Sequence, residues 1–368
     1  MRLTYKRFLC FMMAGVLTAS LATACGAKSE PKNETNVTKD TKGTEQKEEP
    51  ENLPVVRAAI MPYLNSVPVN YIKDKGLDEK NGFKLETVPF TTGAPMNEAI
   101  STDAYDVGVM STATVYSLAT YGAYLIADFG DSAGGTGIYV RPDSDIAGAS
   151  GYNPTYPDLM GDPDSVRGKQ IIYQTGHVSH MTSLKWLEKI GVNADEVDIV
   201  NMEQASAYQA FLAGEGDAVA LAPPFSYNAE EQGWICVADL NNMDVPQREA
   251  VIATPKAYKE KHDLLVAFTR ALFEANEALR ADPEMEAQLL AEWYKENGSE
   301  TAEAVVKKEV ETRPLLTAKE ACSEELGAAT RLNAEFFVEL GTLEVSKLPV
   351  YDTNIVTDIL EEAIGYGK

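Results

Sequence analysis

The segment from Gly168 to Gly191, GKQIIYQTGHVSHMTSLKWLEKIG, contains the pattern of a strand, a polar turn and a helix. Residues 170–173 predict a buried strand, and small and polar residues fill the turn over 174–179. Apolar residues recur every third position from 181 to 190, which gives the helix one apolar face, and Ser179 is its predicted N-cap. Because a helix N-terminus presents unpaired N–H groups and a positive dipole end, this turn is a predicted anion site.

Strand and helix patterns alternate on both sides of this segment. From Val55 to Phe129 the predicted strands are joined by short helices, and a second series of the same kind runs from Gly168 to Leu240. Two strand-like passages, 137–141 and 250–254, connect the two series. This rhythm predicts an α/β protein with mostly parallel sheets that are covered by helices on both faces.

Long amphipathic helices follow the last predicted strand. If they pack back on the first series, the chain has two lobes, residues 54–138 with 250–368 and residues 139–249, joined by a two-strand hinge. The cleft between such lobes is where a ligand is expected. The loop over 143–164 is long enough to be an ornament or a lid. The predicted bounds of the helices are Ala257–Arg280, Pro283–Asn297, Thr301–Val310, Ala318–Leu340 and Tyr351–Tyr366.

The first residues are typical of a secretory signal, with positive side chains before an apolar run over 8–21 and small residues before Cys25. We interpret residues 1–24 as a signal peptide and Cys25 as a lipidation site, because the small-residue run resembles the lipobox of bacterial lipoproteins. Plain cleavage is the alternative. Residues 25–53 are rich in Lys, Glu, Thr and Asn and predict a disordered tether. The predicted location is the outer face of the bacterial cytoplasmic membrane, held there by a lipid anchor.

The chain is strongly acidic. Its formal charge is −24, and removal of the three positive side chains of residues 1–24 leaves −27. This charge argues against nucleic acid and against an anionic membrane surface as the main partner. A small anion can still bind inside a cleft, because local dipoles there outweigh the effect of the net charge. Two cysteines follow Cys25 in the sequence, Cys236 and Cys322. The sequence leaves open whether they form a disulfide or stay free thiols.

A family resemblance rests on residues 166–225, VRGKQIIYQTGHVSHMTSLKWLEKIGVNADEVDIVNMEQASAYQAFLAGEGDAVALAPPF. A GK-strand-turn-helix, a Glu/Asp-Val strand, a polar helix ending in Gly and an Asp-Ala strand follow one another there. The segment resembles the solute-binding proteins of bacterial ABC importers for nitrate, sulfonates, taurine and thiamine precursors. Residues 106–128 and 253–279 are similar to the first lobe of that family. The resemblance implies a two-lobed periplasmic-binding-protein fold of type II, with two parallel-rich sheets.

The resemblance also implies partners. The chain is expected to be a monomer that binds a small-molecule ligand, needs no cofactor, and docks on the transmembrane subunits of an ABC permease. It departs from the family in the length of its 143–164 loop. It also departs at the corner over 222–225, Ala-Pro-Pro-Phe, where many members place a tryptophan and an aspartate.

Candidate ligand-binding residues lie mainly in the turns that follow predicted strands, the edge at which open α/β sheets bind ligands. His180 falls where nitrate- and sulfonate-binding members often have a histidine. His177 and His180 lack a third clustered ligand, so no metal is predicted, and no catalytic constellation stands out. The predicted set is Tyr63, Asn65, Gly93, Ser111, Thr112 and Thr136 on the first lobe, and Tyr173, Thr175, Gly176, His177, Ser179, His180 and Phe225 on the second.

The predicted function is capture of a small oxyanion, an alkanesulfonate, taurine or a nitrate-like ion, by closure of the two lobes. A helix dipole contributes only about 0.3–1 kcal/mol, whereas micromolar binding needs about 8 kcal/mol, so charge-assisted hydrogen bonds must supply most of the affinity. A pyrimidine precursor of thiamine or another heterocycle is the alternative, favoured if Tyr63 and Phe225 stack on it. Residues 62–68, PYLNSVP, are similar to chorismate-dehydrating enzymes of menaquinone synthesis. An enzyme is nevertheless less favoured, because those enzymes work inside cells and this chain carries a predicted export signal. An anchored scaffold protein would bind no small ligand.

Overall fold

The computed structural model describes residues 53–367. The predicted signal peptide, the lipidation site Cys25 and the tether up to residue 52 lie outside the described residues and stay predictions. Within residues 53–367, no helix combines the length and the apolar character that a membrane crossing requires.

Ten strands are described in this part of the chain, and they form two five-stranded sheets. All ten lie before residue 254. The strands are β1 Val55–Ile60, β2 Lys84–Pro89, β3 Val107–Met110, β4 Tyr124–Asp131, β5 Gly137–Val140, β6 Gln170–Tyr173, β7 Asp198–Asn201, β8 Ala218–Leu221, β9 Ile235–Asp239 and β10 Arg248–Ala253.

Each sheet has four strands in one direction and one strand in the other. The first sheet has the order β2-β1-β3-β10-β4, and β10 runs antiparallel to both of its neighbours. The second sheet has the order β7-β6-β8-β5-β9, and there β5 is the antiparallel strand. The predicted α/β class with two parallel-rich sheets is therefore confirmed.

Two connections pass between the sheets, residues 132–136 after β4 and residues 240–247 before β10. The strands predicted as the crossings, 137–141 and 250–254, instead belong to the second and first sheet, because their apolar side chains are buried in the two cores. The crossings are instead the segments that directly precede these two strands. The lobe bounds inferred from the sequence remain a prediction.

Helices cover the faces of both sheets. Short 3-10 helices occur at Leu64–Ser66, Ala99–Thr102, Ala194–Glu196 and Val345–Lys347. The α-helices are α1 Val67–Asp74, α2 Leu77–Lys80, α3 Gly93–Glu98, α4 Thr114–Tyr121, α5 Asp145–Gly148, α6 Pro163–Val166, α7 Val178–Lys189, α8 Gln204–Leu212, α9 Phe225–Glu231, α10 Pro255–Glu260, α11 His262–Ala281, α12 Pro283–Glu296, α13 Glu303–Thr312, α14 Ala318–Ala321, α15 Ala328–Glu339, α16 Val350–Asn354 and α17 Asp358–Ile364.

Three of the predicted C-terminal helices are each interrupted. The helix predicted over 257–280 breaks at Lys261, whose ammonium lies 2.8 Å from a carboxylate oxygen of Asp106. The helix predicted over 318–340 is interrupted over 322–327 and resumes after Gly327, which has a φ of +74° and stands where a Cβ would lie 2.6 Å from Ile355. The third, over 351–366, divides into α16 and α17. Tertiary contacts therefore overrode the local helical pattern at two of these breaks.

The segment predicted as a long loop over 143–164 holds α5 and the start of α6. The indole N–H of Trp186, on α7, donates to the carbonyl of Met160 at 2.9 Å and so ties this segment to the second sheet's layer. Cys236 and Cys322 are free thiols, which resolves the alternative that the sequence left open.

Candidate functional site

A cavity of about 80 Å³, which we call the inner cavity, lies between the two sheets. Its wall is built from the residues that follow β1, β2, β3 and β4 of the first sheet and β6 and β8 of the second. Both sheets thus present their carboxyl ends to one space, which is where α/β folds bind ligands. The lining residues are Met61, Tyr63, Asn65, Thr92, Gly93, Ala94, Ser111, Thr112, Ala113, Ser132, Gln174, Thr175, Gly176, His177, Val178, Ala222, Pro223, Glu249 and Arg313.

The inner cavity brings together eight of the thirteen residues predicted from the sequence. Their role in binding stays a prediction. Thr136, Tyr173, Ser179 and His180 lie outside its lining, and Phe225 lines a neighbouring space instead. The eight are Tyr63, Asn65, Gly93, Ser111, Thr112, Thr175, Gly176 and His177.

The helix α7 begins two residues earlier than predicted. His177, not Ser179, is the N-cap, and its Nδ1 accepts from the backbone N–H of Ser179 at 3.3 Å. The backbone N–H of His180 donates to the carbonyl of His177 at 3.0 Å. The Ser179 hydroxyl is fully buried and accepts from the Gln174 N–H and from Gln204. Of the backbone N–H groups of Val178 to His180 that were expected to bind an anion, those of Ser179 and His180 are therefore already used.

His177 nevertheless presents a donor to the inner cavity. Burial and, secondly, the charge of Arg313 lower the pKa of His177 to about 4, so the ring is neutral at pH 7. A neutral imidazole carries one N–H, and its Nδ1 is an acceptor here. The proton therefore sits on Nε2, which has no hydrogen bond to another described residue. His180, by contrast, stacks on Tyr173 with ring centroids 4.9 Å apart.

The hydroxyls on the opposite wall are oriented by Gln247, which sits in the connection before β10. The Gln247 Nε2 donates to the Ser111 Oγ and to the Thr112 Oγ1, each at 2.7 Å. Asn333 donates to the Gln247 Oε1 at 2.6 Å and so fixes which end of the amide faces the hydroxyls. Because the Gln247 Nε2 can only donate to the Thr112 hydroxyl, the proton of that hydroxyl is left to donate to a ligand in the cavity.

A buried charged cluster closes the base of the cavity. Arg313 pairs with Glu249 at 2.7 Å and with Glu309 at 3.1 Å. Asn65 donates to Glu249 at 2.8 Å, and the Tyr294 hydroxyl lies 2.8 Å from Glu309. Burial raises the pKa of both carboxyls. Sequence reasoning missed this cluster, because nothing in the local pattern of residues 309–313 distinguishes it from an exposed helix end.

Replacement of Gly93 by Ala tests whether the turn after β2 shapes the inner cavity. A Cβ at Gly93 would lie 2.5 Å from the Cβ of Ala113, so the turn or α4 must move. We expect a loss of about 1–3 kcal/mol in the free energy of unfolding, measured by denaturant titration. Gly148→Ala is the matched control, since a Cβ there meets nothing within 4 Å. Equal stability of the two variants would contradict the expected clash.

A second space of about 520 Å³, the outer cavity, adjoins the inner one. The two share Tyr63, Thr92 and Gln174. Tyr208 and Phe225 supply aromatic surface to it, with ring centroids 5.9 Å apart. Together the two cavities have room for a polar head group and an organic tail.

Comparison with known proteins shows which proteins the chain resembles in sequence and in fold. A protein from Brachyspira hyodysenteriae named as an ABC transporter periplasmic binding protein is 42% identical over 309 residues, which cover 84% of this chain and 89% of that one. Two solved structures have the same fold. The periplasmic aliphatic sulphonate binding protein SsuA from Escherichia coli has a TM-score of 0.65 at 20% identity, covering 83% of this chain and 99% of that one. The periplasmic nitrate-binding protein NrtA from Synechocystis has a TM-score of 0.67 at 12% identity, covering 85% and 88%.

The predicted periplasmic-binding-protein fold is thereby confirmed, as is the resemblance on which it rested. Residues 49–294, more than half of the sequence, match one family of such proteins. The chain belongs to the NMT1-like family.

Proposed function

We propose that the chain is the extracytoplasmic substrate-binding component of an ABC importer, and that it binds a small organic oxyanion, an alkanesulfonate or taurine, in the inner cavity. The observation that carries the proposal is a cavity at the carboxyl ends of both sheets into which neutral donors converge. The relative named as an ABC transporter periplasmic binding protein supports the importer role. The sulphonate- and nitrate-binding structures support the ligand class.

The donors suit an oxyanion because its oxygens only accept hydrogen bonds. His177 offers its Nε2–H and Thr112 its hydroxyl proton. Tyr63 adds a third donor, since burial raises its pKa to about 12 and the phenol keeps its proton at neutral pH. Three hydrogen bonds to a charged ligand, at about 1.5–3 kcal/mol each, together approach the roughly 8 kcal/mol of micromolar binding.

Closure of the two halves completes the site. The rings of Tyr63, after β1, and His177, before α7, both line the cavity, and their centroids are 6.4 Å apart with the planes tilted by 42°. Opening would separate these donors and admit water, which competes for the ligand. A permease would then distinguish loaded from empty chains by their shape. Lipidation at Cys25, attachment to the outer face of the cytoplasmic membrane and a monomeric state complete this proposal.

The outer cavity favours an organic ligand over bare nitrate. Its 520 Å³ and its aromatic residues would accommodate an alkyl or aminoalkyl tail. They would also accommodate a heterocycle, which is the second candidate.

A calorimetric panel with the purified chain tests the proposal, using methanesulfonate, taurine, nitrate and an aminopyrimidine. We expect heat with the sulfonates, and a tenfold to hundredfold weaker affinity, as about 1.5–3 kcal/mol implies, in His177→Ala. His262→Ala is the control, because His262 is a half-exposed histidine that pairs with Glu362. Heat with the aminopyrimidine alone would replace the oxyanion by the heterocycle. No heat with any probe, or equal affinity of the two variants, would overturn the site.

A further inference from the structure

The imidazole of His177 has one nitrogen that is open and one that is held by the protein. His177 lines the inner cavity. Its Nε2 makes no hydrogen bond to another described residue, yet this nitrogen is not fully buried, so it is open to the space that the ring lines. A neutral imidazole carries a proton on one nitrogen and a lone pair on the other. The contacts of Nδ1 therefore decide what Nε2 can offer to a ligand.

Both contacts of Nδ1 come from Ser179. The backbone N–H of Ser179 donates to Nδ1 at 3.3 Å, and the Ser179 Oγ lies 3.2 Å from it. The other partners of the hydroxyl decide the direction of the second contact. Oγ accepts from the backbone N–H of Gln174 at 3.2 Å and from the side-chain Nε2 of Gln204 at 3.1 Å. Since these donors occupy both lone pairs of the hydroxyl, its proton is left to point at Nδ1.

Gln204, the first residue of α8, fixes the far end of this chain of hydrogen bonds. The backbone N–H of Ala222, just after β8, donates to the Gln204 Oε1 at 2.8 Å. A backbone N–H can only donate, so the amide oxygen must face Ala222 and the amide nitrogen must face Ser179. Gln204 and Ser179 are both buried, which shields these bonds from water. Every bond therefore runs in one direction, from the Ala222 N–H to His177.

We propose that Ser179 and Gln204 are positioning residues that hold His177 as the tautomer with its proton on Nε2, the atom that donates to the ligand. This inference rests on the proposed function. Because the chain of hydrogen bonds begins at a backbone N–H, its direction cannot reverse, and the ligand atom that meets Nε2 must carry a lone pair. A sulfonate oxygen meets this requirement, and an ammonium group does not. Ser179, predicted as a ligand-binding residue, thus acts through His177.

The nitrogen chemical shifts of the imidazole, measured by NMR, test this arrangement without a ligand. The chain has three histidines, and the spectrum of His177→Ala identifies the signals of interest. We expect wild type to show a protonated Nε2 and an unprotonated Nδ1 at pH 7. In Ser179→Ala, Nδ1 loses one donor, so the two shifts should move toward each other as the second tautomer becomes populated. Ser183→Ala is the matched control, because Ser183 lies on the same helix, is equally buried, and donates to the backbone carbonyl of Ser179 instead.

Calorimetry with methanesulfonate measures the effect on binding. We expect Ser179→Ala to bind about threefold to tenfold more weakly, because only the molecules with a proton on Nε2 are competent to donate. Ser183→Ala should stay within about twofold of wild type. In a His177→Ala background, Ser179→Ala should cause no further loss, since its effect passes through His177.

Three results would overturn the inference while leaving the proposed function standing. They are a wild-type ring with its proton on Nδ1, nitrogen shifts that do not change in Ser179→Ala, and an equal loss of affinity from Ser179→Ala with and without His177. Failure of wild type to bind any sulfonate would instead overturn the proposed function.

Discussion

The affinity for methanesulfonate is expected to fall as the pH rises above the ordinary range of a carboxyl group, by as much as about tenfold per unit where binding takes up one proton. Methanesulfonate stays anionic throughout this range, so the dependence must come from the protein. Glu249, Glu309 and Arg313 together carry a formal charge of −1 when both acids are ionised. A bound anion would add a second negative charge to the same buried space, which favours the protonated form of one acid.

The sign follows from the direction of the pKa shifts. Burial raises the pKa of Glu249 and of Glu309, and a nearby anion raises them further. The anion therefore binds best below these pKa values, and affinity is lost as the pH rises through them. The other groups that face the cluster do not reverse this sign. Tyr63 and Tyr294 keep their protons, His177 is neutral, and Asp131 adds to the negative charge felt by Glu249.

Calorimetry in buffers of different ionisation enthalpy measures the protons taken up on binding. We expect a net uptake of protons over the range in which the affinity falls with pH. Glu249→Gln removes one of the two acids, and should bind methanesulfonate more tightly than wild type at pH 8 and show a flatter pH profile. Binding that exchanges no proton at any pH would show that the cluster does not respond to the ligand's charge.

Replacement of Glu286 by Gln is expected to raise the free energy of unfolding by about 3 kcal/mol at pH 8, because burial raises the pKa of this carboxyl from 4.5 to about 7. Glu286 lies on α12, is 1% exposed, and its Oε1 has no hydrogen-bond partner. At pH 8 the folded chain must hold an unpaired buried carboxylate. Glutamine reproduces the neutral acid and removes that cost.

The benefit of Glu286→Gln should disappear as the pH falls. A raised folded pKa means that the wild-type acid is fully tolerated below its unfolded pKa and that stability is lost as the pH rises toward 7 and above. Denaturant titrations at pH 4, 6 and 8 give the three values needed. Glu296→Gln, at the exposed end of the same helix, should change stability by no more than about 0.5 kcal/mol at any of them. Parallel pH profiles of wild type and Glu286→Gln would contradict a buried titrating acid.

The local sequence pattern was sufficient to predict the fold and many of the residues that line the inner cavity. The strand over 170–173 was predicted with the bounds that the structure has, because its four residues lie between a glycine-containing turn and a polar turn. The rule that ligands bind at the carboxyl ends of strands then selected Asn65, Ser111 and His177 without knowledge of the sheet order. The turns that carry these residues are recognisable from the local pattern, although the contacts of Asn65 and Ser111 are distant in sequence.

The groups that the sequence did not reveal depend on distant contacts. Asn65 meets Glu249 across 184 positions, and Arg313 meets Glu249 across 64. No periodicity or spacing links such pairs, and residues 309–313 look like the end of any charged helix. The error at Ser179 has a different cause: α7 begins two residues earlier than predicted, and the Ser179 hydroxyl is buried in the protein.

The C-terminal helices matter for how solute preference is inherited among related chains. Every described strand precedes residue 254, yet Arg313 and Asn333 reach back to the cavity, the latter through Gln247. Relatives with nearly identical sheets would therefore differ in this part of the cavity wall if their last helices diverged. A chimera that exchanges only this tail would replace Arg313 and the support of Gln247, and would leave the turns after the strands as they were.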